Sequence, residues 1–208
     1  MPVDKWELDI VASGSQKGYL IPPGLSFIAM SEKAWEAAEK SNLPKFYLNL
    51  KSYRKSLLSN SNPYTPAVNL VFALDESLKM MREEGLDNIF FRHNKHKLAM
   101  SNAVKALNLK LFADEKYLSP SITAIKTEGM DAEEFRKTIK NNFDILLAGG
   151  QDHMKGKIFR VGHLGYVNDR DIITVVSAIS NTLLNLGKIT SQQAGEALVV
   201  VSKYLEGN

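Results

Sequence analysis

The chain has 208 residues, 44% of them apolar, which is enough for one large domain or one and a half small ones and for a sizeable core. It contains no cysteine, so disulfides, thiolate metal sites and thiol catalysis within it are excluded, and a secreted disulfide scaffold is untenable. A net charge of +3 comes from 26 basic and 23 acidic residues mixed along the sequence, leaving no concentrated positive footprint for nucleic acid.

The longest apolar runs, such as Ala197 to Val201, fall far short of the roughly 20 residues that a membrane-spanning helix needs. Met1 to Glu7 has neither the charged lead nor the apolar stretch of a signal peptide. The expectation is a soluble, cytoplasmic protein with no nucleic-acid and no membrane partner.

In chain order, Leu8 to Ser13 reads as a buried strand, and Gly14 to Gly24 as a loop stiffened by Pro22 and Pro23, which fix φ and disfavour helix before them. Leu25 to Met30 reads as a second buried strand. Ser31 is an N-cap for a helix whose first turn carries Glu32. An amphipathic stretch around Tyr47 to Leu58 ends in the polar break Ser59 to Pro63. After Pro66 a long helix is predicted from Val68, Val71, Phe72, Leu74, Leu78 and Met81, with Gly85 as its stop. A second helix from about Asp87 to Leu107 turns Ile89, Phe90, His93, Leu98, Ala99 and Val104 inward.

Past Leu109 the period changes. Ser121 to Lys126 is strand-like, Asp131 to Asn141 is a charged helix capped by Asp131, and Asp144 to Ala148 is a strand ending at Gly149 and Gly150. Lys157 to His163 alternates as a strand, Asp169 to Leu186 is an apolar-striped helix ended by Gly187, and Ser191 to Leu205 is a final capped helix. This order predicts a small α/β domain with an antiparallel pair in its sheet.

The residues that carry chemistry begin at Lys17, which closes the run Ser13-Gly14-Ser15-Gln16-Lys17 directly after the apolar segment Leu8 to Ala12. Spacing alone fits a solvated loop lysine, and Ser13 and Gln16 fit a polar turn satisfying its own backbone. A lysine near a strand end, flanked by small residues and followed by Pro22-Pro23-Gly24, also suits Schiff-base chemistry. With that sequel the sequence resembles the class V (fold type I) pyridoxal-phosphate aminotransferases. The likeness is strongest to the alanine/serine–glyoxylate branch, some of whose cyanobacterial members carry the label "soluble hydrogenase small subunit".

The resemblance runs from about Asp4 to about Leu186 and implies specific roles. Lys17 is the lysine that binds pyridoxal 5'-phosphate and then moves a proton between the substrate α-carbon and the cofactor. Gln16 and Ser13 are candidate donors to the cofactor phosphate. Arg160, in Phe159-Arg160-Val161-Gly162, stands where the family grips the substrate α-carboxylate, a task that suits the planar two-pronged guanidinium. An internal salt bridge is the other reading of Arg160. Tyr64 and Thr65, in Asn62-Pro63-Tyr64-Thr65-Pro66, are candidates for reaching the phosphate of a neighbouring subunit's cofactor. A structural turn with a capping threonine fits that segment equally well.

The four histidines receive bland assignments. His163 packs or hydrogen-bonds near Arg160, and His153 lies in a loop. His93 and His96 have the i, i+3 spacing that can hold a metal, but Arg92, Lys95 and Lys97 surround them with positive charge. They are assigned to a solvated helix face, and no metal is expected.

The resemblance further implies a division into residues 1–66, the end of a cofactor-binding large domain; 67–108, bridging helices; and 109–208, a small C-terminal α/β domain with a mixed or antiparallel sheet. The family's pyridine-pairing aspartate, ring-stacking aromatic and glycine-rich phosphate site are absent from this chain. The expectation is therefore a C-terminal portion of a homodimeric aminotransferase acting on amino acids and keto acids, inactive alone. The runner-up is a non-catalytic α/β accessory module. Desulfuration on the same fold needs a cysteine, and so do iron–sulfur and nickel–iron hydrogenase centres.

Overall fold

The computed structural model describes residues 2–206, and the chain falls into two compact units, Met1–Met80 and Met81–Asn208. In the first unit, β1 (Ile10–Gly14) and β2 (Ser26–Met30) form a two-stranded antiparallel sheet with Ile10 opposite Met30 and Gly14 opposite Ser26. Helix α1 (Glu32–Lys40) follows. Ser31 caps it by accepting from the Ala34 amide at 3.1 Å, and its hydroxyl donates to Asp9 at 2.7 Å, tying the helix start back to β1. Bonds to Asp9 from Lys33 and Ser31 hold its carboxyl below the usual range.

Helix α2 (Leu50–Leu57) occupies the amphipathic stretch, and α3 (Val68–Glu84) begins two residues after Pro66. Gly85, at φ +82°, ends α3, as its freedom from a Cβ allows. The strands expected to be buried are not: Ile10 is 62% exposed and Ile28 48%. Apolar residues on both faces imitate a central strand, but of this unit's helices it is the short α1 that packs on the two-stranded sheet, which is too little to cover both faces.

In the second unit, α4 (Leu86–Ala106) leads into a four-stranded sheet of β3 (Lys110–Leu111), β4 (Ile122–Lys126), β5 (Ala148–Gly149) and β6 (Ile158–Gly162). Spatial order is β3-β4-β6-β5, antiparallel at every pairing, so the antiparallel character extends beyond the single pair expected. Helix α5 (Ala132–Phe143) starts on Asp131, whose carboxylate accepts from the Glu133 amide at 2.7 Å. Asp144 then takes a left-handed φ of +55° and ends the helix, which shortens the strand expected from Asp144 onward to two residues.

Helices α6 (Asp169–Asn185) and α7 (Ser191–Leu205) each open on a reciprocal capping box, Asn168 with Asp171 and Thr190 with Gln193. Helix α4 packs on α7, α6 touches both, and α5 lies on α6, β5 and β6. Met100, Val104, Ile125, Ile139, Phe159, Ile179 and Leu183 are fully buried in the resulting core. The face of α4 differs from its prediction: His96, Met100 and Ala103 are buried with Ala99 and Val104, while Phe90 and Leu98 are exposed. Among the described residues no helix is long and apolar enough to cross a membrane. The α/β class expected from the sequence holds.

Candidate functional site

Lys17 sits at an exposed turn in the connection between β1 and β2, and its carbonyl accepts from the Leu20 amide at 3.2 Å. That connection is closed at its base by Ser15, the one completely buried residue of the segment. The Ser15 hydroxyl donates to Pro22 O at 2.8 Å and accepts from Leu25 N at 3.1 Å, while its amide donates to Leu25 O at 3.0 Å. Ser77 of α3 donates to Tyr19 O at 2.5 Å, and the Tyr19 ring lies 4.4 Å from that of Phe27. At Gly24, φ is +146° and an added Cβ would stand 2.5 Å from Leu70 Cδ1, so the loop backbone lies against this side chain of α3. The loop is thus braced on both flanks of Lys17.

Among the described residues the Lys17 amine has neither an ion-pair nor a hydrogen-bond partner, and Gly18 beside it faces open space. Ser13 and Gln16 are exposed on the same hairpin; the Gln16 amide oxygen folds back to 2.8 Å from where a Gly14 Cβ would be. An amine, a carboxamide and a hydroxyl are presented within five residues, a donor set that fits an aldehyde-bearing phosphate ester. Ser15 and Ser77 were not singled out from sequence. In a polar turn, nothing local distinguishes the serine that goes inside.

Tyr64 donates its hydroxyl to Phe46 O at 3.0 Å and packs in a cluster with Phe46, Tyr47 and Tyr53, the Tyr47 ring being 4.8 Å away. Desolvation in this cluster, more than its neighbours' hydroxyls, raises the Tyr53 phenol. Thr65 is exposed.

Arg160 lies in β6 of the second unit. Alternation sends Phe159 and Val161 into the core, where the Phe159 ring meets Phe135 at 5.0 Å, and turns Arg160 to the opposite face. Its cross-strand neighbours are Ala124 and Ala148, the smallest side chains that keep strand geometry, so the guanidinium has space on both sides. Arg160 Nε donates to Gly149 O at 2.9 Å. The internal salt bridge offered as its other reading does not form: among the described residues no carboxylate pairs with it.

The same alternation corrects His163, which faces the core rather than Arg160. Its Nδ1–H donates to Pro120 O at 3.1 Å, which leaves Nε2 to accept from Thr123 Oγ1 at 2.9 Å. Burial lowers this imidazole to about 4, so it is neutral at physiological pH. His153 is exposed in a single 3-10 turn.

His93 and His96 do not form a solvated face. His93 Nδ1 donates to Ile89 O at 2.7 Å and Nε2 accepts from Gly165 N at 3.1 Å. His96 is completely buried, with Nε2 at 2.9 Å from Asp169. Burial lowers the His96 ring. Burial works against charge on Asp169, yet the bonds from Lys95 and His96 hold its carboxyl below the ordinary range. Arg92 bridges Glu84 and the carbonyls of Gly165 and Val167, so the positive charge read as repelling a metal instead docks the loop before α6. Asp169 lies 73 residues from His96, beyond the reach of any local pattern.

The aminotransferase class-V family model matches residues 1–170. A Synechococcus protein named "Soluble hydrogenase, small subunit" is 52% identical over 205 residues, covering 99% of this chain and 53% of its own length. A serine–glyoxylate aminotransferase from Methylorubrum extorquens is 33% identical, over 99% of this chain and 52% of its own. A solved ureidoglycine–glyoxylate aminotransferase from Bacillus subtilis superposes with a TM-score of 0.87 at 28% identity, covering 97% of this chain and 54% of that one. The chain spans about half the length of the curated relatives it matches.

Proposed function

The chain belongs to the class-V aminotransferase family, and from that membership we propose that it supplies half of a pyridoxal-phosphate-dependent aminotransferase. The reaction is amino transfer between an amino acid such as alanine or serine and a keto acid such as glyoxylate, the pairing named in several relatives. The observation that carries this reading is the Lys17 amine, without a partner among the described residues, on a loop braced by Ser15 and Ser77. A solvated surface lysine has no need of such a mount.

Pyridoxal phosphate, when bound, supplies the electron sink that acidifies the substrate α-hydrogen. Lys17 Nζ would hold the cofactor and would serve as the acid and base at the α-carbon. Gln16 and Ser13 donate to the phosphate, and Arg160 holds the substrate α-carboxylate. Of the two cross-subunit candidates, Thr65 is the readier donor, because Tyr64 would first have to release Phe46 O. In the same reading residues 1–66 end the cofactor-binding domain, 67–108 bridge, and 109–208 form the small domain of a cytoplasmic homodimer.

The test is incubation with pyridoxal phosphate, borohydride reduction and peptide mapping, done on this chain and on a version extended to the relatives' full length. The extended protein should carry a reduced adduct on Lys17 and transaminate glyoxylate with alanine or serine, both lost in Lys17→Ala. The chain alone should label weakly and turn over little. Turnover by the chain alone would overturn the half-enzyme reading. Turnover surviving Lys17→Ala, or an inert extended protein, would favour the accessory module.

A further inference from the structure

We propose that Gly149 is a positioning residue for Arg160, setting the guanidinium so that a carboxylate is gripped end-on by its two terminal nitrogens. The inference rests on the reading of Arg160 as carboxylate anchor. A guanidinium can engage a carboxylate side-on, through Nε and one Nη, or end-on, through both Nη. The 2.9 Å bond from Arg160 Nε to Gly149 O removes the first geometry and leaves the second.

Gly149 is itself held from behind. It pairs with Phe159, so its vacant side-chain direction points to the α5 side of the sheet, away from Arg160. There an added Cβ would stand 2.6 Å from both Arg136 Nη1 and Glu133 Oε1. Arg136 is fixed over the glycine by its Nε, which donates to Leu147 O at 2.8 Å, and by its ion pair with Glu133 at 2.6 Å. Gly150 N, in the same peptide plane as Gly149 O, donates to Ile158 O at 3.1 Å and pins that plane. Two carbonyls two residues apart therefore each take an arginine Nε, one from α5 and one from β6. A side chain at 149 would push the Arg136–Glu133 pair off and release the carbonyl that orients Arg160.

Arginine side-chain NMR on the chain extended to its relatives' full length, with pyruvate as the carboxylate probe, tests this. In the unaltered chain Arg160 Hε should exchange slowly with water, and pyruvate should shift the Hη resonances while Hε stays in place. In Gly149→Ala, Hε exchange should accelerate about tenfold and the apparent Kd for pyruvate should rise about three- to tenfold, the size of one lost hydrogen bond. The backbone amides of Phe159 and Val161 should keep their protection, which a general loosening of the sheet would not allow. Hε moving together with Hη in the unaltered chain, or Gly149→Ala leaving exchange and Kd unchanged, overturns the positioning role. A pyruvate response that survives Arg160→Lys, or one missing from the unaltered chain, overturns the anchor reading instead.

Discussion

The second unit buries an interlocked set of apolar side chains drawn from α4 to α7 and the sheet, while the first buries only Ile21 and Ala34 among its described apolar residues. Leu43, Phe46, Leu48, Leu57, Leu58 and Phe72 of the first unit are all more than 70% exposed. Order around Arg160 therefore comes from packing, and order around Lys17 from hydrogen bonds. Losing a buried large side chain costs about 3–5 kcal/mol, whereas one net hydrogen bond contributes about 0.5–1.5 kcal/mol. Lys17 sits on the more weakly held scaffold and Arg160 on the firm one.

Phe159→Ala should cut deepest, by about 3–5 kcal/mol in urea unfolding of the second unit. The contrast between the units breaks if amide exchange in β1 and β2 slows to the level of β4 and β6.

Acidification comes next. His163 titrates at about 4 when folded, against an ordinary value of 6.5, so the unfolded chain takes up the proton first. Its contribution is complete above pH 6.5 and is lost as pH falls toward 4, for roughly 3 kcal/mol at most. The lowered His96 adds in the same direction. Urea midpoints measured from pH 7 to 4.5 should fall, and His163→Gln should flatten that slope.

Ser15→Ala leaves Leu25 N–H and Pro22 C=O without their partner and should cost about 1–2 kcal/mol locally. The Leu25 amide should exchange about tenfold faster, with Phe159 unaffected. Smallest of all, Ile28→Thr on the open strand should stay within about 0.5 kcal/mol, and a larger loss would mean the first unit holds a core after all.

Helix limits were legible because their causes are local. Ser31, Asp131 and Thr190 cap the residues next to them, and Gly85 and Gly187 stop helices by adopting φ values of +82° and +63°. The two-residue strand β3 is too short to show a period, and β5 was read too long because the left-handed Asp144 has no local signature. The surroundings of His96 were illegible, since Asp169 is joined to it only by folding. Among candidate residues, Lys17 and Arg160 stood out by motif, whereas Ser15 and Ser77, which brace the β1–β2 connection, and Gly149, whose carbonyl accepts from Arg160 Nε, carry no pattern of their own.

The sequence by itself determined periodicity, caps, the absence of thiol chemistry and the family to which the lysine and arginine motifs belong, because each is written in neighbouring residues. Only the tertiary structure decided which serine of a polar turn is buried, which face of β6 carries Arg160, and that two histidines of a charged helix have protein partners. Burial and hydrogen-bond partners are set by groups remote in the chain, such as Ser77 against Tyr19 and Thr123 against His163, and no local spacing encodes those meetings.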